Sequence, residues 1–421
     1  MFVATSAIFA LTYVGLALGK VPGLRMDRAG IALVGATLML VMGALSLPQA
    51  VSPESIDYKT LTILFGMMVV IAFLRLSGFF LQMTEWALRR VRTPLGLLGV
   101  TIGLSGVLSA FLINDIVCLT LTPLVLHLAR RLRFDPVPHL IALATAANIG
   151  STGTITGNPQ NIFIGSHSGI SYLRFASRLM PVAAIGLLLS FVVVAFVYRE
   201  RLTRRQSPTG LAAENGDGAA SGRRPASAAH RWLLRKSMAV TLATVVLFFS
   251  GLPLELIALG AAAVLLIGRV KPEKVYRQID WGLLVMFTGL FIVVHAFQVH
   301  VVSRWGIDHW DGLLAHPVGS LSLLSAALSN LVSNVPAVLL LEPIVQAIPT
   351  ANRETAWLVL AMSSTLAGNL TVLGSVANLI VVENANRQGV EISFWEYCKV
   401  GVPLTLLTLV VGIGWLAYVR Y

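Results

Sequence analysis

Of the 421 residues, 56% are apolar and only 12% are charged, about half the charged fraction of an average soluble domain. With a mean hydropathy of +0.80, this excludes an ordinary soluble protein and requires apolar stretches that cross a bilayer repeatedly. The net charge of +12, from 31 Lys and Arg against 19 Asp and Glu, points either to an anionic partner or to cationic loops gathered on one side of a membrane.

Nearly uncharged segments run over residues 2–19, 29–47, 60–74, 95–129, 137–165, 175–198, 237–250, 254–268, 281–299, 318–348, 356–382 and 400–419. The first is too smoothly apolar for a cleaved signal and lacks a preceding basic residue, so it reads as a retained membrane helix. Most of the others suit one helix across ~30 Å of hydrocarbon, which takes about 20 residues. Segment 95–129 does not, because as one straight helix it would be ~52 Å long. Its flanks are both basic, Arg89, Arg90 and Arg92 before it and Arg130, Arg131 and Arg133 after it. It is expected to enter and return as a re-entrant hairpin, and 318–348 likewise.

That leaves ten crossings. Placing residues 20–28 inside puts 25 of the 31 basic residues on the cytoplasmic side, leaving Lys59, Arg174, Arg178, Arg304, Arg353 and Arg420 outside. This is the asymmetry that the positive-inside rule demands, and a single crossing at either hairpin would spoil it. Both termini are then expected outside the cell inner membrane, with the longest polar stretch, 199–236, as a flexible basic cytoplasmic linker.

The two halves repeat. LSAFLINDIVCLTLTP (108–123) matches LSNLVSNVPAVLLLEP (328–343) at an offset of 220, with Asn114 over Asn334. NIGSTGTITGNPQN (148–161) lies over TLAGNLTVLGSVAN (365–378) at an offset of 217, pairing Thr154 with Thr371, Gly157 with Gly374 and Asn161 with Asn378. Each half crosses five times, an odd number, so the second must be inverted. The expected fold is an all-α polytopic membrane protein of two inverted repeats, 1–198 and 237–421. Each repeat holds a re-entrant helical hairpin (95–129; 318–348) and a broken transmembrane helix (137–165; 356–382).

Such breaks have a physical meaning. Unwound backbone survives at membrane depth only where it is buried in protein or lines a watery cavity, and transporters place their substrate site there. Gly150, Gly153, Gly157, Gly368 and Gly374 would let the backbone leave helical geometry. Thr152, Asn158, Asn161, Asn369, Ser375 and Asn378 would supply donors and acceptors. Freed N–H groups at half-helix N-termini suit an oxygen-rich or anionic solute, and freed carbonyls suit a cation. The competing reading, close packing of small residues, fits a single glycine better than two matched clusters.

Asp115 is the only acidic residue within 95–129, and an intramembrane carboxylate is a candidate for proton coupling. Glu342 has no acidic counterpart in the first half. His127, His139 and His295 are isolated and read as packed or interfacial residues, and Cys118 reads as a small core residue. With Cys398 far away, no disulfide framework or C-x-x-C site is expected. No phosphate loop, zinc motif or nucleophile–base constellation appears, so no catalytic residues, metal, cofactor or nucleic-acid partner is expected.

At NDIVCLTLTP (114–123), ANIGSTGTITGNPQN (147–161), LSNLVSNVP (328–336) and AGNLTVLGSVANLIV (367–381) the chain resembles the ion transporter superfamily, and within it the arsenite permease and sodium/proton antiporter group. The pieces look especially like arsenite-efflux and silicon-efflux permeases. The resemblance implies a secondary active transporter, not an enzyme, that works by alternating access and exports arsenite- or antimonite-type metalloid oxyacids against protons. It admits a homodimer and, as in some arsenite permeases, a cytosolic ATPase partner. The site residues it implies are Asn114, Asp115, Thr152, Thr154, Asn158, Asn161, Ser333, Asn334, Asn369, Thr371, Ser375 and Asn378, with Asp115 as proton carrier. The dicarboxylate branch carries Ser-Asn-Thr at both hairpin tips, whereas these tips read Ile113-Asn114-Asp115 and Ser333-Asn334-Val335. Sodium/proton exchange, organic-anion transport and an anion channel are the alternatives.

Overall fold

A computed structural model describes residues 1–19, 26–203, 228–302 and 317–419. In chain order the helices are α1 (Phe2–Leu18), α2 (Arg28–Val41), α3 (Leu47–Ala50), α4 (Tyr58–Leu76), α5 (Phe79–Arg90), α6 (Pro94–Phe111), α7 (Asn114–Leu132), α8 (Pro136–Ser151), α9 (Pro159–Ser168) and α10 (Tyr172–Val197). They continue with α11 (Arg199–Thr203), α12 (Ala228–Phe248), α13 (Leu254–Leu266), α14 (Pro272–Tyr276), α15 (Trp281–His300), α16 (Pro317–Val332), α17 (Asn334–Ala347), α18 (Thr350–Ala367), α19 (Val376–Arg387) and α20 (Phe394–Tyr418). Among the described residues there is no strand.

Both expected hairpins are present. α6 and α7 turn at Leu112–Ile113, and α16 and α17 turn at Ser333. Both broken helices are present too: α8 and α9 are joined through a single 3-10 turn at Ile155–Gly157, and α18 and α19 through Val372–Gly374. Their first halves are buried on every side, from Pro138 to Ser151 and from Ala356 to Ala367, as a helix must be when apolar all round and central to its domain.

The inverted symmetry shows in the packing. α2 of the first repeat crosses α15 of the second, and α13 of the second crosses α4 of the first. Each crossing is made at a glycine. A Cβ on Gly66 would lie 2.6 Å from the carbonyl of Ala258, and one on Gly289 would lie 2.7 Å from that of Ala32. The equivalence extends to the ends of the chain. Asp57 and Asp280 cap α4 and α15, Ser171 and Ser393 cap α10 and α20, and Pro181 and Pro403 sit inside those two helices. Because backbone cannot move aside, Gly66→Ala and Gly289→Ala should each lower stability by about 1–3 kcal/mol. Gly103, with nothing within 4 Å of a Cβ, should accept alanine with a gain of up to about 1 kcal/mol. Thermal unfolding followed by size-exclusion chromatography would check the contrast, and equal melting temperatures for all three would refute it.

Five helices, α4, α6, α10, α15 and α20, are long and apolar enough to cross a membrane singly. α1, α2, α13, α16 and α17 are shorter apolar helices. Leu11, Leu188, Phe196, Leu242 and Val410 remain exposed on the outside of the bundle, as lipid-facing residues would be. Groups that charge counting assigns to one side lie together. Arg201 pairs with Glu396 at 3.1 Å and Asp135 at 3.6 Å, while Arg174 pairs with Glu354 at 2.8 Å.

The expectation of a flexible linker over 199–236 meets helix at both ends. Residues 199–203 form α11, and α12 begins at Ala228 rather than at 237; residues 204–227 lie outside the described ones. Lys236 explains the second boundary. Its Nζ donates to the carbonyls of Leu265 (3.4 Å) and Ile267 (2.5 Å), placing a cation on the C-terminus of α13. Residues 75–92, counted as a loop, are mostly the amphipathic helix α5.

Candidate functional site

Four helix N-termini converge on one narrow cavity between the repeats. It is lined by Asn114 and Asp115 at the start of α7, Pro159 and Gln160 at the start of α9, Ser333 to Pro336 at the start of α17, and Ser375 and Val376 at the start of α19. The hairpins and breaks produce this arrangement, since each interrupts a helix at mid-depth and restarts it. Each restart leaves its first N–H groups without intrahelical partners and presents a positive dipole end. Leu16, Arg28, Leu283, Met286 and Val332 complete the wall.

Behind the cavity, amides join the repeats. Asn148 accepts from Asn114 Nδ2 (3.0 Å) and from Ser375 Oγ (3.1 Å). Its own Nδ2 donates to Asn369 Oδ1 (2.9 Å) and Asn378 Oδ1 (3.0 Å). At the equivalent place in the second repeat, Thr365 Oγ1 accepts from Asn158 Nδ2 (3.3 Å) and Gln160 Nε2 (3.1 Å). Asn114 Oδ1 is buried with no partner among the described residues, leaving an acceptor in a residue of the cavity wall. In the orientation that satisfies its surroundings, the Asn334 amide donates to the carbonyls of Gly374 (3.0 Å) and Ser364 (3.2 Å). Each tip asparagine thus ties its hairpin to the broken helix of its own repeat.

The breaks are clamped identically. Asn161 Nδ2 donates to the carbonyls of Ser151 (3.1 Å) and Thr154 (3.0 Å), and Asn378 Nδ2 to those of Gly368 (2.7 Å) and Thr371 (3.0 Å). Thr154 Oγ1 donates to the Ala110 carbonyl, Thr152 Oγ1 to that of Asn148 (3.2 Å), and Thr371 Oγ1 accepts from Gly374 N (3.1 Å). Of the twelve implied site residues, Asn114, Asp115, Ser333, Asn334 and Ser375 line the cavity. Thr152, Thr154, Asn158, Asn161, Asn369, Thr371 and Asn378 stand behind it and hold the backbone.

The glycines of the breaks act differently from the expectation. None of Gly150, Gly153, Gly157, Gly368 and Gly374 has a positive φ. They permit close approach instead: a Cβ on Gly150 would lie 2.1 Å from the Gly106 carbonyl, and one on Gly157 2.3 Å from that of Ser151. The unusual backbone is at Ser333, with φ 76° and ψ 161°, a region essentially restricted to glycine. Ser333→Gly should relieve this strain and raise stability by about 1 kcal/mol. A lower melting temperature for the variant would show that the hydroxyl outweighs the strain.

The cavity opens toward one face. A wide vestibule lined by Asp27, Asp280, Glu383 and Asn386 shares Arg28, Leu283, Met286 and Val376 with it. A second vestibule, lined by Glu54, Asp57, His167, His295 and Glu342, shares no residue with the cavity. There Asp57 accepts from Ser166 Oγ (2.5 Å), tying α9 to the start of α4, and Gln298 donates to Glu342 (3.0 Å). The symmetry-related positions on the open face hold Asp280 and Glu383, which both line the vestibule. His139 is tied to the carbonyls of Asp135 (2.8 Å) and Pro94 (3.1 Å), His127 is exposed, and Cys118 is buried one turn after Asn114.

Four polar wall or network residues, Asn148, Gln160, Thr365 and Arg28, escaped the sequence reading. Asn148 and Gln160 sit inside motifs singled out for their neighbours, so their amides were available signals. Arg28 was absorbed into the count of cytoplasmic charges.

Comparison with known proteins decides the family. A family model described as "Citrate transporter" matches residues 13–366. The chain belongs to this transporter family, and with it to the ion transporter superfamily. The transporter is 32% identical to the silicon efflux transporter LSI3 of Oryza sativa subsp. japonica over 97% of its own length and 96% of that protein's. It is 25% identical to a putative transporter arsB of Dictyostelium discoideum, covering 93% of this chain and 87% of the relative. The YdaH transporter of Alcanivorax borkumensis, at 15% identity, aligns with a TM-score of 0.59 over 100% of this chain and 96% of its own, a likeness of fold. The protein is therefore a multi-pass membrane transporter.

Proposed function

We propose that the transporter exports arsenite- or antimonite-type metalloid oxyacids in exchange for protons, by alternating access across the cell inner membrane. The observation that carries this reading is the meeting of four helix N-termini at one cavity that also holds the Asp115 carboxylate and the unpartnered Asn114 Oδ1. N-terminal N–H groups favour the oxygens of a small oxyacid, while Asn114 Oδ1 accepts a hydroxyl hydrogen. Asp115 supplies a proton-binding group in the same space. A sodium site would call for freed carbonyls at half-helix C-termini, and the cavity wall is built from helix N-termini instead. Silicic acid is a second substrate reading, favoured by the 32% identity to a silicon efflux transporter; it is also a small hydroxylated acid.

The charge asymmetry supports N- and C-termini outside, which makes the vestibule of Asp27 and Asp280 the cytoplasmic one. The test is transport in proteoliposomes under an imposed pH gradient, screening arsenite, antimonite, silicate, sodium and dicarboxylates. Uphill, gradient-dependent accumulation of arsenite or antimonite is the expected result. Strictly downhill flux would replace the exchanger by an anion channel, and uphill movement of dicarboxylates alone would replace the substrate.

A further inference from the structure

Arg28 is half-buried at the first turn of α2 and lines both the cavity and the open vestibule. Asp115 and Arg28 are the two charged residues of the cavity wall. Among the described residues no ion pair within 4.0 Å engages either of them, so they share one small space without touching. The guanidinium rests beside Gly19, where a Cβ would lie 3.6 Å from Arg28 Nε. Gly19 is the left-handed cap that ends α1, and a helix C-terminus is a favourable place for a cation.

Three elements contribute further ionisable groups to the vestibule that adjoins the cavity of Asp115. Asp27 precedes Arg28 at the start of α2, Asp280 caps α15, and Glu383 on α19 stands farther out in the vestibule. Cys118 follows Asp115 on its own helix. The opposing hairpin contributes Ser333 to Pro336, and the breaks contribute Pro159, Gln160, Ser375 and Val376, none of which titrates. Among the described residues that line the cavity and the vestibule, Arg28 is thus the one cation, with Asp115 in the cavity and Asp27, Asp280 and Glu383 in the vestibule, where Glu383 pairs with Arg387 at 2.8 Å.

We propose that Arg28 is the positioning residue that sets the pH at which Asp115 takes up and releases its proton. Resting on the reading of Asp115 as proton carrier, the inference works through charge balance. With Asp115 ionised the cavity wall is neutral. With Asp115 protonated, the wall loses the carboxylate that accepts a hydroxyl hydrogen of the solute. Proton and solute then compete at Asp115, as exchange requires, and Arg28 sets the pH at which one replaces the other.

The test labels the purified full-length protein in nanodiscs with a fluorescent carbodiimide, which reacts with protonated carboxyls at membrane depth, across a pH series. Asp115→Asn identifies the signal due to Asp115. Removing the cation in Arg28→Gln should move the labelling midpoint up by about one pH unit, and Arg28→Lys should restore it. Arg28→Met, which keeps the apolar reach of the stem, carries the same expectation if the glutamine variant misfolds. An unchanged midpoint in the charge-free variants overturns the role of Arg28 and leaves Asp115 as proton carrier. A signal with no Asp115-dependent part at any pH overturns the proton-carrier reading, and this inference with it.

Discussion

Asp115→Asn should reduce transport driven by a pH gradient to the background of empty liposomes, while the protein still elutes as a folded species. Asparagine has the size of aspartate but cannot carry the proton, so the substitution removes one chemical property and little else. The local cost should be small: Asp115 is part-exposed to the cavity, and no hydrogen bond or ion pair joins it to a described residue. Surface-like substitutions of this kind usually stay within about 0.5 kcal/mol. Solute-for-solute counterflow, which moves no net proton, should persist in the variant. Measuring pH-driven flux and counterflow on the same preparation separates lost coupling from lost binding. Unchanged pH-driven accumulation would retire Asp115 as the proton carrier.

Asn148→Leu should produce the largest loss of stability among the polar substitutions. Leucine keeps the branched shape of asparagine with bulkier methyl groups in place of the amide, and it removes the set of four hydrogen bonds to Asn114, Ser375, Asn369 and Asn378. All five residues are buried. A buried polar group left unpaired costs about 1–3 kcal/mol, and several are orphaned at once, so a loss of about 3 kcal/mol or more is expected. Transport should fall with it, because the same residue links the first hairpin to the second break. Thr365→Val, at the matching position, removes one acceptor and should cost about 1 kcal/mol. Thermal stability in detergent and proteoliposome flux would check both. Wild-type transport by Asn148→Leu would show that the amide network does not position the site.

Much of the architecture could be read from the chain because its causes are local. The hairpins followed from length against bilayer thickness and from the basic flanks of 95–129. The breaks followed from polar residues inside apolar segments, and their repetition tied Asn161 to Asn378 before either had a known partner. The repeat continues beyond those motifs, however, through Asp57 and Asp280, Gly66 and Gly289, and Ser171 and Ser393. There the matches are sparser, Ile56-Asp57 over Ile279-Asp280 and Ile170-Ser171 over Ile392-Ser393, and packing shows that the shared residues are caps and crossings. The break glycines show the same limit. Glycine in sequence announces either backbone freedom or close approach, and the distances of Gly150 and Gly157 to neighbouring carbonyls decide for the second.

By itself the sequence determined the membrane class, the hairpins, the inverted repeat and the polar residues available for a site, because bilayer thickness, charge asymmetry and periodicity act along the chain. Only the tertiary structure decided which of those residues face a solute. Asn161 and Asn378 turned inward to satisfy unwound carbonyls, since hydrocarbon leaves no other partner. Asn148 became the junction of two repeats more than 200 residues apart in sequence. Arg28, one charge among the 31 basic residues that give the chain its positive balance, came to rest in the wall of the cavity that holds Asp115. Such juxtapositions depend on helices packing from opposite halves, and no local pattern encodes them.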